Sequence, residues 1–80
     1  MPYIVQKDRE RLNVLAAACS PGELNYIITL ACQNYINMRG ESYQTYNDII
    51  GALECCKLEI YRRKTAPYEE MKIIENGDVW

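Results

Sequence analysis

Eighty residues with a formal charge of −2, an isoelectric point near 5.0 and 49% hydrophobic side chains make a single domain, 1–80. The acidic balance removes the long-range attraction that a DNA or RNA binder uses on phosphate backbones. A core of this size leaves only about 3–5 kcal/mol of net stability, so disulfides, a metal or self-association is expected to supply the rest.

In chain order, a short extended lead-in precedes a predicted amphipathic helix from Asp8 to Ala18, about three turns, with Leu12, Leu15 and Ala16 together and acidic residues early. Ser20-Pro21-Gly22-Glu23 then offers a serine N-cap, a proline at the first helical position and a glutamate placed to close a capping box, so a second helix begins at Pro21. Leu24, Ile27, Ile28, Ala31, Tyr35 and Met38 recur at helical spacing, Tyr26 and Leu30 widen the stripe, and Arg39-Gly40 supplies a cationic last turn and a stop.

Glu41 to Gln44 are expected to form the connection, with Thr45 and Asp48 as a weaker cap signal. Tyr46, Ile49, Ile50, Leu53, Cys56 or Lys57, and Ile60 trace one face of a third helix about 30 Å long, and Glu54, Glu59 and Arg63 trace another. Gly51-Ala52 in its middle costs about 1 kcal/mol of helix propensity, which close approach of another helix would offset. Pro67 should end or kink the helix, because its ring removes a donor and clashes with the preceding turn. Tyr68 to Ile74 resume helical spacing until Asn76-Gly77, which leaves Val79 and Trp80 as an apolar tip expected to pack on the chain's own core or a neighbour's. The fold class is all-α: a small three- to four-helix domain with a long kinked C-terminal helix, oligomeric.

The four cysteines, Cys19, Cys32, Cys55 and Cys56, form no Cys-x-x-Cys pair, and histidine is absent. Adjacent thiols at 55 and 56 diverge by roughly 100° on a helix, so no zinc and no other cofactor is expected. The N-terminus lacks the apolar core of a secretory signal and no run approaches a membrane span, which reads as a cytoplasmic chain with free thiols. With staples and metal disfavoured, a homo-oligomer is the expected partner state.

The candidate ligand site is the cluster Tyr61, Arg62, Arg63, Lys64 and Tyr68. If the helix continues past Pro67, Tyr61, Lys64 and Tyr68 fall in one strip, two aromatic faces with a cation between them, suited to stacking a ring and holding a phosphate. The plainer account is that these cations complement a helix C-terminus and that Arg63 pairs with Glu59 one turn earlier. Anion binding at helix N-termini is disfavoured, since Glu23 and Asp48 would repel a phosphate there. The carboxylates Glu54, Glu59, Glu69 and Glu70 could serve a metal-dependent nucleotide hydrolase, but Glu54 and Glu59 are five apart and off-face. No serine or cysteine has an evident base beside it, so the residues point to binding and not to an enzyme. Tyrosine is enriched at half-buried surfaces, and Tyr3 and Tyr43, with Gly51 and Trp80, are the candidate interface positions.

Met1-Pro2-Tyr3-Ile4 with Asp8-Arg9, Gly22-Glu23-Leu24-Asn25-Tyr26 with Ile28-Thr29, Gly51-Ala52-Leu53-Glu54 with Lys57-Leu58-Glu59 and Tyr61-Arg62-Arg63, Ala66-Pro67-Tyr68-Glu69, and Glu75-Asn76-Gly77-Asp78-Val79 span nearly the whole chain. Together they resemble a family of short proteins of unknown function met in bacteriophages, prophages and metagenomes. The family carries no assigned roles onto these residues. What the resemblance implies is a phage setting, hence the host bacterial cytoplasm, and a small accessory factor acting by stoichiometric binding. Some compact helical phage oligomers sequester cyclic nucleotides that serve as defence alarms. The leading expectation is therefore a non-enzymatic helical homo-oligomer that binds a partner or a small anionic, nucleotide-like ligand. A purely structural or protein-interaction module is the alternative, and a nucleotide hydrolase is third.

Overall fold

The computed structural model describes residues 4–13 and 17–80. They form α1 (Gln6–Leu12), α2 (Pro21–Arg39), α3 (Tyr43–Ile60), a π-helical turn (Tyr61–Thr65) and α4 (Ala66–Asn76), with no strand among the described residues. No helix among them is long and apolar enough to cross a membrane.

The local signals at α2 act as their chemistry requires. The backbone N–H of Glu23 donates to Ser20 Oγ at 3.1 Å, and Glu23 Oε1 reaches back past the cap to accept from the Cys19 N–H at 2.8 Å. One of the orphan donors of the helix is thereby satisfied, together with the Cys19 N–H just before the cap. At the other end Gly40 adopts φ 87°, a region that L side chains resist, and its N–H closes on the Ile36 carbonyl at 2.7 Å.

Two expectations are corrected here. The first helix runs from Gln6 to Leu12, seven residues, starting earlier and stopping well before Ala18. It has no side-chain cap and packs against no other helix among the described residues, so nothing compensates the entropy of extending it. Leu15 and Ala16 lie outside the described residues. The second correction concerns the connection, which is only Gly40 to Ser42. Ser42, not Thr45, is the cap: its Oγ accepts from the Thr45 N–H at 3.1 Å and donates to Thr45 Oγ1 at 3.0 Å. Thr45 thus sits one turn inside α3 and, at 3% exposure, is the one buried residue among those described.

Asp48, freed from capping, fastens the hairpin of α2 and α3. The Tyr35 hydroxyl donates to Asp48 Oδ2 at 2.8 Å and Gln44 Nε2 donates to Asp48 Oδ1 at 2.7 Å. The hydrogen bonds from Gln44 and then from Tyr35 hold the Asp48 carboxyl below its ordinary range, and the same bond raises the Tyr35 hydroxyl above its own. Arg39 lies over the Tyr35 ring at 5.8 Å, which ties the end of α2 into the same cluster.

Past Ile60 the longer helix packs against no other helix among the described residues. It continues through the π turn into α4 as a rod of 34 residues, and the molecule extends 50 Å with a radius of gyration of 16.5 Å. A compact domain of this length has a radius near ~12 Å. Among the described residues no apolar side chain is buried, and the α3 stripe read from the sequence is largely open, with Ile50 at 65% exposure. The accessible surface is 7380 Å². A compact monomer of this mass would show about 5,000 Å².

Ser42→Ala removes both the cap and the partner of the buried Thr45 hydroxyl. It is expected to cost about 1 kcal/mol and to lower the melting temperature by roughly 4–8 °C in a circular dichroism melt. The Tyr35–Asp48 bond also sets a pH window. Asp48, with its folded pKa depressed, contributes above the ordinary carboxylate range, and that contribution is lost as pH falls through the folded value. Tyr35, with its folded pKa raised, contributes below its ordinary value of 10.0 and loses that contribution as pH climbs through the folded one. Melts from pH 2 to 11 should show this plateau flattened at both edges in Tyr35→Phe, and an unchanged profile would remove the bond from the account.

Candidate functional site

The cationic segment Arg62-Arg63-Lys64 occupies the π turn, and Pro67 explains why the turn is there. Proline has no N–H and its ring collides with the carbonyl four residues back, which here belongs to Arg63. Widening the preceding turn by one residue relieves that collision, and the Ala66 N–H accordingly donates to the Tyr61 carbonyl five residues back. Counted from the start of α4, Pro67 then falls in the first turn, where its missing donor is no loss. Pro67 does not end the helix.

The inserted residue also rotates everything beyond it. In a regular helix Tyr61 and Tyr68, seven apart, would share a face, while Tyr61 and Glu69, eight apart, would not. Across the π turn it is Glu69 that comes into line: the Tyr61 hydroxyl donates to Glu69 Oε1 at 2.9 Å, which raises the tyrosine above its ordinary pKa. The strip of Tyr61, Lys64 and Tyr68 expected from uninterrupted helical spacing is therefore rephased. Tyr68 carries Lys72 over its ring instead, at 5.5 Å.

Arg62 and Arg63 converge on one carboxylate. Arg62 Nη2 donates to Glu59 Oε2 at 2.8 Å and Arg63 Nε to Glu59 Oε1, with the Glu59 side chain only 23% exposed. Pairs of this kind within one helix contribute a few tenths of a kcal/mol. They also hold both guanidiniums in a fixed fork on one side of the rod. Lys64 has no ion pair among the described residues.

Hollows lie beside α1, at Ile4, Gln6, Arg9, Glu10, Leu12 and Asn13, beside α4, and between α2 and α3. Near the C-terminus, Tyr61, Glu69, Lys72, Ile73 and the 77–80 tail enclose about 530 Å³. Gly77 turns the chain at φ 85°, the Trp80 N–H donates to Asp78 Oδ1 at 3.0 Å, and the Trp80 side chain is fully exposed. The apolar tip thus does not pack on a core of its own chain. The hollow between α2 and α3, about 380 Å³, is an apolar groove lined by Ile27, Ala31, Cys32, Ile49, Ala52 and Leu53. Sequence reading did not single it out, because periodicity marks which residues are apolar and not where two stripes leave a gap.

Of the candidate interface positions, Tyr43 is exposed at the start of α3, and Tyr3 lies outside the described residues. A Cβ added at Gly51 would meet open space, so no helix among the described residues approaches it. Glu54 pairs with Lys57 at 3.1 Å, and Glu59 and Glu69 are engaged as above. Among the described residues no three acidic or cysteine side chains gather as metal ligands, and the four thiols are free.

Neither the curated proteins nor the solved structures offer a match to the chain. A family model aligns with residues 1–79, nearly the full length, and by that match the chain belongs to the family described as Domain of unknown function (DUF6899).

Proposed function

We propose that the chain works as a non-enzymatic helical homo-oligomer that acts by binding, in keeping with the small phage accessory factor its family resemblance implies. The observation that carries this reading is the absence of any buried apolar side chain among the described residues of a chain that is 49% hydrophobic. Soluble chains rarely expose apolar surface on this scale unless a partner covers it, and a second copy is a partner always at hand. Static light scattering at micromolar protein is expected to return at least twice the 9.3 kDa chain mass. A folded, helical species at the single-chain mass would overturn the reading.

A second reading gives that oligomer a small anionic, nucleotide-like ligand at Tyr61, Arg62, Arg63, Lys64 and Tyr68. It is favoured by the coincidence of three consecutive cations with the π turn in a chain of net charge −2, since such turns are frequent at functional sites. The planar guanidiniums of Arg62 and Arg63 suit a phosphate, and the exposed rings of Tyr61 and Tyr68 suit a base. A thermal-shift screen with cyclic nucleotides at about 100-fold above Kd should raise the melting temperature by on the order of 10 °C, by mass action on the folded state. The shift should vanish in Arg62→Ala and in Arg63→Ala. A flat screen, with the oligomeric mass intact, would sink the ligand reading and leave a protein-interaction module.

A further inference from the structure

Resting on the self-association proposed above, we infer how two copies meet: α4 of each lies in the α2–α3 groove of the other, reciprocally, about a two-fold axis passing near Ile60 and Tyr61. Three observations converge on this arrangement.

The first is that groove and helix cannot meet within one chain. The groove centres near residue 51 of the continuous helix, and Ile74 lies about 34 Å further along the same rod at 1.5 Å per residue. The lengths nonetheless agree. α4, of 11 residues, spans ~16 Å, and the groove runs from Ile27 to Tyr35, ~12 Å along α2.

The second is phase. On α3 the side toward α2 carries the half-buried Asp48, bonded to Tyr35, and the groove opens beside it at Ile49 and Leu53. In an uninterrupted helix the exposed row of α4, Pro67, Met71 and Ile74, would continue the line of Leu53 and Ile60 and point past that side. The π turn rotates the row by roughly a quarter turn, so that it faces the way α2 stands from α3. When two such rods lie antiparallel about a perpendicular two-fold axis, the hairpin of the second copy fills the space beside α4 on that same side. Met71, at 57% exposure, and Ile74, at 83%, then point into an apolar groove, while Glu69, Lys72 and Ile73 on the opposite face of α4 line the hollow beside its own tail.

The third is area. Each chain shows ~2,400 Å² more surface than a compact monomer of its mass. Removing that excess from both copies places the pair within the range of obligate dimers, roughly 2,000–5,000 Å². The contact is isologous, so it closes on itself and forms no open filament.

Cys32 in the groove provides the test. In a Cys19→Ser, Cys55→Ser, Cys56→Ser background, Ile74→Cys or Met71→Cys should give a covalent dimer on mild oxidation, at least five-fold more than Ile73→Cys on the far face. The product should disappear when Cys32→Ser is added, because the bond needs the partner subunit's Cys32. Light scattering on the same samples separates the two ideas. A dimer that cross-links equally or not at all at positions 71, 73 and 74 overturns this geometry while leaving self-association standing, whereas a single-chain mass overturns both. Independently, Met71→Glu should shift the mass toward the single chain and Ile50→Glu, pointing away from the groove, should not. The reverse pattern would also overturn the arrangement.

Discussion

Because α2 ends after 19 residues while the helix opposite runs for 34, close to half of the longer helix packs against no other helix among the described residues. A helical stripe gains its stability by removing apolar area from water at about 25 cal/mol per Å², and a stripe with nothing against it gains none. The hairpin itself is held chiefly by directional bonds: the Ser42 cap on Thr45 at the turn, and Tyr35 with Gln44 on Asp48 just beyond it. Such bonds set register and angle, but exposed to water they contribute modestly. That α4 packs against no other helix among the described residues follows from this mismatch of lengths.

The π turn is where the mismatch acquires direction. One extra residue in the turn relieves Pro67, and the same residue rotates α4 against α3 and pairs Tyr61 with Glu69. Steric relief and site geometry are therefore one event. The apolar row of α4 takes its azimuth from that turn.

Much of the local structure was legible because it depends on neighbours in sequence. Ser20, Pro21 and Glu23 open α2, Arg39 and Gly40 close it, and Asn76-Gly77 ends α4, each through bonds spanning five residues or fewer. Misreadings arose where two local signals competed. Ser42 and Thr45 both suit a cap, and Ser42 won because Thr45 is drawn under the turn. Pro67 was readable as a disturbance, yet a break and a widened turn satisfy the same missing donor equally well by local criteria.

By itself, then, the sequence determined an all-helical chain, where α2 begins and ends, the cation run, and a surplus of apolar residues. Only the tertiary structure decided which way those residues face. The phase beyond the π turn turns on a single added residue, the gap between α2 and α3 on how two stripes tilt apart, and Asp48's role on a tyrosine 13 positions away. Helical periodicity constrains angles within one unbroken element, and it carries no information across a widened turn or between two helices.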